Sequence, residues 1–519
     1  MKKDVICRFA PAPTGPLHLG SAHTALFSWL YAMNFDMKKD CQGVFKLRIE
    51  DSDKTVSTID AGQKIVEDLQ FLGILSKNVK YNDIPKQSQR QKEGRYSYYL
   101  DKLKAKGLVK EISESNSTAV MYFPSEEKII IKDELRKKPI IVKASDKNNV
   151  LTPFIIMRGD GSPLYNFACV VDDIDMGVTH VIRGSDILVS TAKQLSLYYA
   201  LDISPPKFFH LPRILDEYGS PLSKRTGAKS IEQFRREGFL KEALLNYLVL
   251  LGWSPKDGNE FLAIDEMINK FSIKDCSLSE IKFDPNKLCS VNSHYMRTLE
   301  IGELVKRFKN YLIYVNHKEK DNNNVFKFCE IYARRSRTLG ELAEQLKNQT
   351  VENYNYDKEL FYKYLIFPDI VRLFHEVIAI INDSEKLDNI FDNIRDLSLK
   401  LNIPYKKIAQ AINFALSNSS KSPDILEMIY LLGKTESIRH LQNCIEILSG
   451  IDFECFEQLS RVNKYCEEFK IRIKQVNEDT GILKNPKYQN IKNVFSDLIE
   501  DVDKAKGNLS IELKKFIPI

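Results

Sequence analysis

Through the first 85 residues, short apolar runs alternate with stretches whose apolar side chains recur at helical spacing. Val5–Phe9 and the run from Val44 to Ile49 predict strands, whereas Thr24 to Met33 and Ile59 to Leu72 predict helices. Strand–helix–strand–helix at this length implies an α/β fold: a parallel sheet with crossover helices, whose ligands bind beyond the carboxyl ends of the strands. Arg8 to Thr14 and Glu50 to Asp53 follow two such ends. From 86 to 163 the pattern gives way to a polar, lysine-rich insert with short strands over Ala119–Phe123, Lys128–Lys132 and Pro139–Lys143. Strand-and-loop character returns over 164–240 and closes the first fold. Beyond Ile231 the period is helical, strongly apolar at Leu240–Leu251 and amphipathic at Phe328–Leu346. The boundaries expected on this pattern are 1–85 and 164–240 for the two halves of the α/β domain, 86–163 for its insert, and 241–325 and 326–445 for two helical domains. Residues 446–519 are helical in pattern and rich in both charge signs, as an appended helical module or a frayed tail would be.

At 519 residues the chain is too long for one core, in keeping with three or more domains. No apolar run approaches the length of a membrane span. Lys2 and Lys3 are not followed by an apolar targeting stretch, so the expected location is the cytoplasm. Nine cysteines without Cys-x-x-Cys spacing point the same way, to reduced thiols. The net charge of +6 permits a nucleic-acid partner without demanding one.

The chemistry concentrates after the first strand. A turn carrying Pro11, Pro13, Thr14, Gly15 and Pro16 delivers His18, Gly20 and Ser21 to the start of the first helix. Free backbone N–H groups and the positive dipole end of a helix make such a junction an anion site. Gly20 permits close approach of backbone to phosphate, and the His18 imidazole can donate to phosphate oxygens. Far downstream, Leu222, Ser223, Lys224 and Arg225 supply a second cationic loop.

Together these two segments resemble the paired signatures of class I aminoacyl-tRNA synthetases. The strings Arg48 to Asp53, Leu164 to Ala168, Val170 to Asp173 and His180 to Gly184 are similar to the glutamyl branch in particular. The similarity continues through Ala243–Leu248, Leu251–Pro255, Phe283–Leu288, Ala333–Leu339, Ser422–Glu427 and Leu432–Lys434, covering roughly residues 1–445 in order. The resemblance implies a Rossmann-type nucleotide-binding domain with an inserted acceptor-end-binding domain, followed by all-helical anticodon-binding domains.

It also implies roles. ATP would lie against Thr14, His18, Gly20, Ser21, Ser223, Lys224 and Arg225, with His18 and Lys224 stabilising charge as pyrophosphate leaves. L-Glutamate would be held by Arg8, Ala10, Glu50, Tyr165 and Arg183: guanidinium forks for the carboxylates, Glu50 for the α-ammonium, and the Tyr165 hydroxyl as donor. Arg334, Arg335 and Arg337 are candidates for reading unpaired tRNA bases, and the basic insert (Lys128, Lys132, Arg136, Lys137, Lys138, Lys143, Lys147) for the acceptor end; either set would also serve as an ordinary solvated face. Magnesium is expected only with ATP. The insert contains no cysteine or histidine, so no structural zinc is expected. The expected partners are tRNA(Glu), tRNA(Gln) also or instead, glutamate and ATP, with no membrane and a monomeric chain.

Four positions depart from the pattern. Pro221 stands where the family usually carries lysine at the head of the second loop, Ala12 where it usually carries serine, and Cys169 and Ile187 also differ from common family choices. Pro221, Ala12 and the unmatched stretch 446–519 leave open a catalytically weak paralogue that binds tRNA. A shorter relative that glutamylates a modified tRNA base lacks the helical part, which residues 326–445 argue against.

Overall fold

The computed structural model describes residues 4–37, 42–53, 55–114, 117–143, 151–222, 229–316, 325–349, 356, 358–367, 369–384, 387–419 and 422–449. It divides into two compact units, Met1–Lys318 with Ser336–Leu342, and Glu319–Arg335 with Ala343–Ile519.

The first unit opens with β1 (Val5–Phe9), α1 (Leu19–Met37), β2 (Gly43–Leu47) and α2 (Ile59–Leu72). Helix α1 begins five residues ahead of Thr24, because Leu19 and Ala22 already turn into the core. Helix α2 is delimited by its ends: Thr58 Oγ1 accepts from Ala61 N at 3.1 Å, and Gly73 closes it at φ +78°. Gly43 has no alternative, since a Cβ there would lie 1.9 Å from the Ala32 carbonyl oxygen of α1.

The insert is richer than its sequence pattern predicts. Ahead of the expected strands come α3 (Gln87–Lys92), α4 (Arg95–Ala105) and β3 (Val109–Glu114). Then follow β4 (Ser117–Tyr122), β5 (Lys128–Ile131), β6 (Ile140–Lys143) and β7 (Phe154–Arg158). An antiparallel sheet β3-β4-β7 and a β5–β6 hairpin result. Helix α4 buries tyrosines and leucines (Tyr96, Tyr99, Leu100, Leu103) while its lysines face out, a mix that masks the apolar period.

The strand-and-loop expectation for 164–240 is corrected by two helices. Helix α5 (Tyr165–Asp175) precedes β8 (His180–Gly184), and α6 (Leu188–Ala200) precedes β9 (Lys207–Leu211). Both helices lie deep, so buried polar residues such as Asp172, Thr191 and Gln194 interrupt the apolar stripe that would have marked them. The central sheet is parallel with order β2-β1-β8-β9. Because β2 lies to one side of β1 and β8 to the other, the chain reverses its winding between β1 and β8, where such sheets bind ligands.

The unit continues through β10 (Ile214–Leu215), α7 (Ile231–Arg236), α8 (Lys241–Leu250), α9 (Ile264–Lys270), β11 (Ile281–Lys282), α10 (Pro285–Thr298) and α11 (Ile301–Tyr314). Helix α8 is apolar on nearly every face because it is buried against α1, α2 and α10. Asp284 starts α10 by accepting from Asn286 N and Lys287 N, with Pro285 in the first turn.

The expected helix over Phe328–Leu346 is two: α12 (Val325–Tyr332) and α13 (Leu339–Gln349). A 3-10 turn at Ala333–Arg335 ends the first, and Thr338 Oγ1 caps the second by accepting from Glu341 N at 3.1 Å. In the second unit α14 (Lys358–Leu365), α15 (Ile370–Asp383), α16 (Leu387–Leu401), α17 (Tyr405–Ser417), α18 (Ile425–Leu432) and α19 (Lys434–Ser449) close around Phe361, Phe374, Ile412, Phe414 and Leu441. Residues 450–519 lie outside the described residues.

Candidate active site

A cleft of about 670 Å³ opens at the carboxyl ends of β1, β8 and β9. Nine of the residues assigned to ligands from sequence line it: Arg8, Ala10, Thr14, His18, Gly20, Ser21, Glu50, Tyr165 and Arg183. Pro221 and Leu222 line it as well, but Ser223, Lys224 and Arg225 lie outside the described residues.

One end of the cleft is the turn between β1 and α1. Gly15 sits at φ +147°, a conformation that favours glycine. The turn is pinned from below, with Leu17 N donating to Asp68 Oδ2 at 3.2 Å and Ile231 N to Leu17 O at 2.9 Å. Burial pushes the Asp68 carboxyl up to about 7. Ser21 N donates to His18 Nδ1 at 3.2 Å, which leaves Nε2 as the protonated nitrogen of the neutral ring, 2.8 Å from Ser21 Oγ. The first turn of α1 therefore lies at this end of the cleft beside an imidazole N–H, and a helix start of this kind favours an anion.

The floor between β1 and α5 is an ion lattice in which Arg48, Asp172 and Asp173, given no role from the sequence, surround Arg8 and Glu50. Arg48 is fully buried, with Nη1 2.7 Å from Asp173 Oδ1, Nη2 2.9 Å from Glu50 Oε1 and Nε 3.4 Å from Asp172 Oδ2. Arg8 Nε lies 3.3 Å from the same Asp173 oxygen. Asp172 also accepts from Arg90 Nε at 2.6 Å, Gln87 Nε2 at 2.9 Å and Tyr96 OH at 3.0 Å. Although burial opposes it, Arg8 and Arg48 hold the Asp173 carboxyl below its ordinary value. Burial leaves Glu50 above its ordinary value despite Arg48, so a bound cation would relieve a cost already present. Cys169 packs its sulfur 3.7–3.8 Å from both guanidinium groups and Asp173, and burial pushes its thiol up to about 12. The signal that would have found this lattice was present: arginine inside a strand and adjacent aspartates inside an apolar helix require partners.

Arg183, on β8, stands in different surroundings. Its Nε donates to His210 Nε2 at 3.2 Å, Nη1 to Gln194 Oε1 at 2.8 Å and Nη2 to Thr191 Oγ1 at 2.7 Å. Its guanidinium carbon sits 5.2 Å from the Phe208 ring centre. No carboxylate lies within ion-pair distance of it among the described residues. A buried cation with neutral acceptors only is a receptor for an anion. His210, Thr191 and Gln194 were missed in the sequence; the parallel register that sets Arg183 beside His210 is a tertiary fact. Tyr165, at the start of α5, is exposed at the cleft wall.

The tRNA candidates do not form one group. Arg335 Nη2 pairs with Glu427 at 2.7 Å and Arg337 with Glu341 at 2.7 Å, whereas Arg334 is exposed and has no carboxylate within 4 Å among the described residues. Of the insert cations, Lys128, Lys132, Lys137, Lys138 and Lys143 are exposed, Arg136 turns towards Asp133, and Lys147 lies outside the described residues. Among the described residues no group of three metal-binding side chains occurs, and no helix is long and apolar enough to cross a membrane.

Comparison with known proteins identifies the family. Residues 4–109 and 109–290 match the family described as tRNA synthetases class I (E and Q), catalytic domain, and residues 303–445 match an anticodon binding domain. The chain is 34% identical over 472 residues to glutamate–tRNA ligase 2 of Fervidobacterium nodosum, covering 86% of this chain and 98% of that one. It is 34% identical over 477 residues to the glutamate–tRNA ligase of Syntrophobacter fumaroxidans, covering 86% and 99%. In fold it resembles a glutamate tRNA ligase from Elizabethkingia meningosepticum solved with its amino acid, at TM-score 0.74 and 24% identity over 86% of this chain and 99% of that one. The chain belongs to the glutamate–tRNA ligase family of class I tRNA synthetases.

Proposed function

We propose that this aminoacyl-tRNA ligase activates L-glutamate in the β1/β8 cleft and transfers it to tRNA(Glu). Glutamate's α-carboxylate attacks the α-phosphate of ATP, giving glutamyl-adenylate and pyrophosphate. The terminal ribose hydroxyl of the tRNA then takes the acyl group. Neither step requires a side-chain nucleophile; positioning and charge stabilisation carry the chemistry.

The observation that supports this reading best is Arg183, a buried guanidinium held by three neutral acceptors and lacking a carboxylate of its own among the described residues. The substrate's side-chain carboxylate would complete it. Glutamine, with an amide in place of that carboxylate, would leave the cation underpaired at a cost of about 2–5 kcal/mol. Glu50, already held by Arg48, would take the α-ammonium, with Arg8, Ala10 and Tyr165 around the remaining atoms. ATP, entering with magnesium as its counter-ion, would set its phosphates against Thr14, His18, Gly20 and Ser21 and be bridged by Ser223, Lys224 and Arg225. The helical second unit would read the anticodon, with Arg334 the candidate contact that no carboxylate engages among the described residues. The protein would work as a cytoplasmic monomer.

Aminoacylation with labelled glutamate, in separate tubes of tRNA(Glu) and tRNA(Gln), tests the reading. Charging of tRNA(Glu) alone identifies a discriminating ligase, and charging of tRNA(Gln) as well widens the substrate. No charging of either overturns the reading in favour of a tRNA-binding paralogue.

A further inference from the structure

The insert reaches the cleft through one buried carboxylate. Asp133 follows β5 and forms a parallel bridge with Phe208 of β9, and Glu134 N donates to Phe208 O at 2.9 Å. From there Asp133 Oδ2 lies 2.9 Å from His210 Nδ1, with both side chains fully buried. A carboxylate accepts only, so His210 Nδ1 carries the proton and Nε2 is left as an acceptor. That acceptor receives Arg183 Nε at 3.2 Å, while Thr191 Oγ1, 3.0 Å away, accepts from Arg183 Nη2 and can donate its own proton to Nε2. Every role in the chain is thereby fixed from Asp133 onward. Arg136 Nε, 3.6 Å from Asp133 Oδ2, is the cation facing it among the described residues.

An arginine carries five N–H donors. Three are occupied by His210, Gln194 and Thr191, leaving one on each terminal nitrogen of Arg183. We infer that Asp133 and His210 are positioning residues for amino-acid recognition: they lock the Arg183 fork so that its two remaining donors meet the substrate's side-chain carboxylate, and so set the preference for glutamate over glutamine. The inference rests on the function proposed above. Without the Asp133 carboxylate, His210 is free to place a proton on Nε2, and two donors then face each other at Arg183. The effect is one of orientation, which enters the affinity for glutamate and leaves the phosphate end of the cleft untouched.

The test is tRNA-dependent ATP–pyrophosphate exchange by the full chain and its variants, with glutamate, glutamine and ATP varied in turn. In Asp133→Asn the KM for glutamate rises roughly ten- to a hundredfold, as misplacement of a substrate-orienting group does, while the KM for ATP stays within about twofold. The ratio of kcat/KM for glutamate over glutamine falls with it. His210→Gln can keep an acceptor towards Arg183 and recovers part of the glutamate affinity lost in His210→Leu. These two variants also carry the test if Asp133→Asn does not fold. Equal increases in both KM values, an unchanged KM for glutamate in Asp133→Asn, or equal loss in the two His210 variants overturns the relay. Failure of the unmodified chain to activate glutamate overturns the proposed function instead, so the two failures are separable.

Discussion

Two arginines lie at the carboxyl ends of neighbouring parallel strands, and the fold treats them in opposite ways. Arg8, ending β1, shares Asp173 with Arg48 in a lattice where each buried cation meets a carboxylate. Arg183, ending β8, meets only an imidazole, an amide and a hydroxyl. Desolvating a charge without a counter-charge is costly, so a chain keeps such a group where a ligand supplies the missing partner. The lattice under Arg8 balances its own charges around Glu50; the Arg183 cluster lacks a counter-charge among the described residues and, on the function proposed above, takes it from the substrate. Charge balance, more than the kind of residue, separates structure from recognition here.

The sharpest way to break the comparison is to disturb the lattice. Arg48→Met strands Asp173 and Glu50 with reduced compensation and should lower stability by about 3–5 kcal/mol in urea unfolding. A smaller loss than that at Arg183 would refute the assignment of scaffold to one and receptor to the other. Arg183→Gln should leave the fold nearly as stable yet reduce kcat/KM for glutamate roughly thirty- to a thousandfold, about 2–4 kcal/mol, in the exchange assay. Glu50→Gln should follow, with a loss of roughly ten- to a hundredfold in the same quantity, because a charge-assisted bond to the α-ammonium becomes a neutral one.

Asp68 extends the comparison to the phosphate turn: a buried carboxylate with no cation in ion-pair reach among the described residues. Its folded value of about 7 lies above the ordinary carboxylate value of 3.8. Between those values the unfolded chain binds fewer protons than the folded one, so this group's contribution falls as pH rises through that window and levels off above it. Asp68→Asn should therefore gain stability relative to the parent between about pH 4 and 7, reaching roughly 2 kcal/mol once the side chain's residual contact with water is discounted. A constant difference across that range would refute it. The smallest effect is expected at Arg334→Ala, which should weaken tRNA binding roughly two- to fivefold and flatten its salt dependence. Arg335→Ala and Arg337→Ala should do less, since Glu427 and Glu341 already engage those groups.

Much of the site was legible before any fold was known. The turn after β1 announces itself through Pro11, Pro13, Gly15, His18 and Gly20, because tight turns and helix starts demand particular residues at fixed spacing. The strand ends bearing Arg8 and Glu50 follow from period alone. What stayed hidden were elements without a clean period: α5 and α6, whose buried Asp172, Asp173, Thr191 and Gln194 read as polar positions, and the break at Ala333–Arg335 that divides one apparent helix into two. In each case tertiary partners, absent from the local sequence, made the polar residues tolerable.

The sequence by itself determined which groups could do chemistry and where strands, turns and most helices begin, since those depend on neighbours a few residues apart. Only the tertiary structure decided which charges are neutralised. Asp133, Arg183 and His210 are separated by up to 77 residues along the chain, yet they form one hydrogen-bonded series. The energy of a buried charge depends on what surrounds it in space, and the packing of β5, β8 and β9 brings those surroundings together.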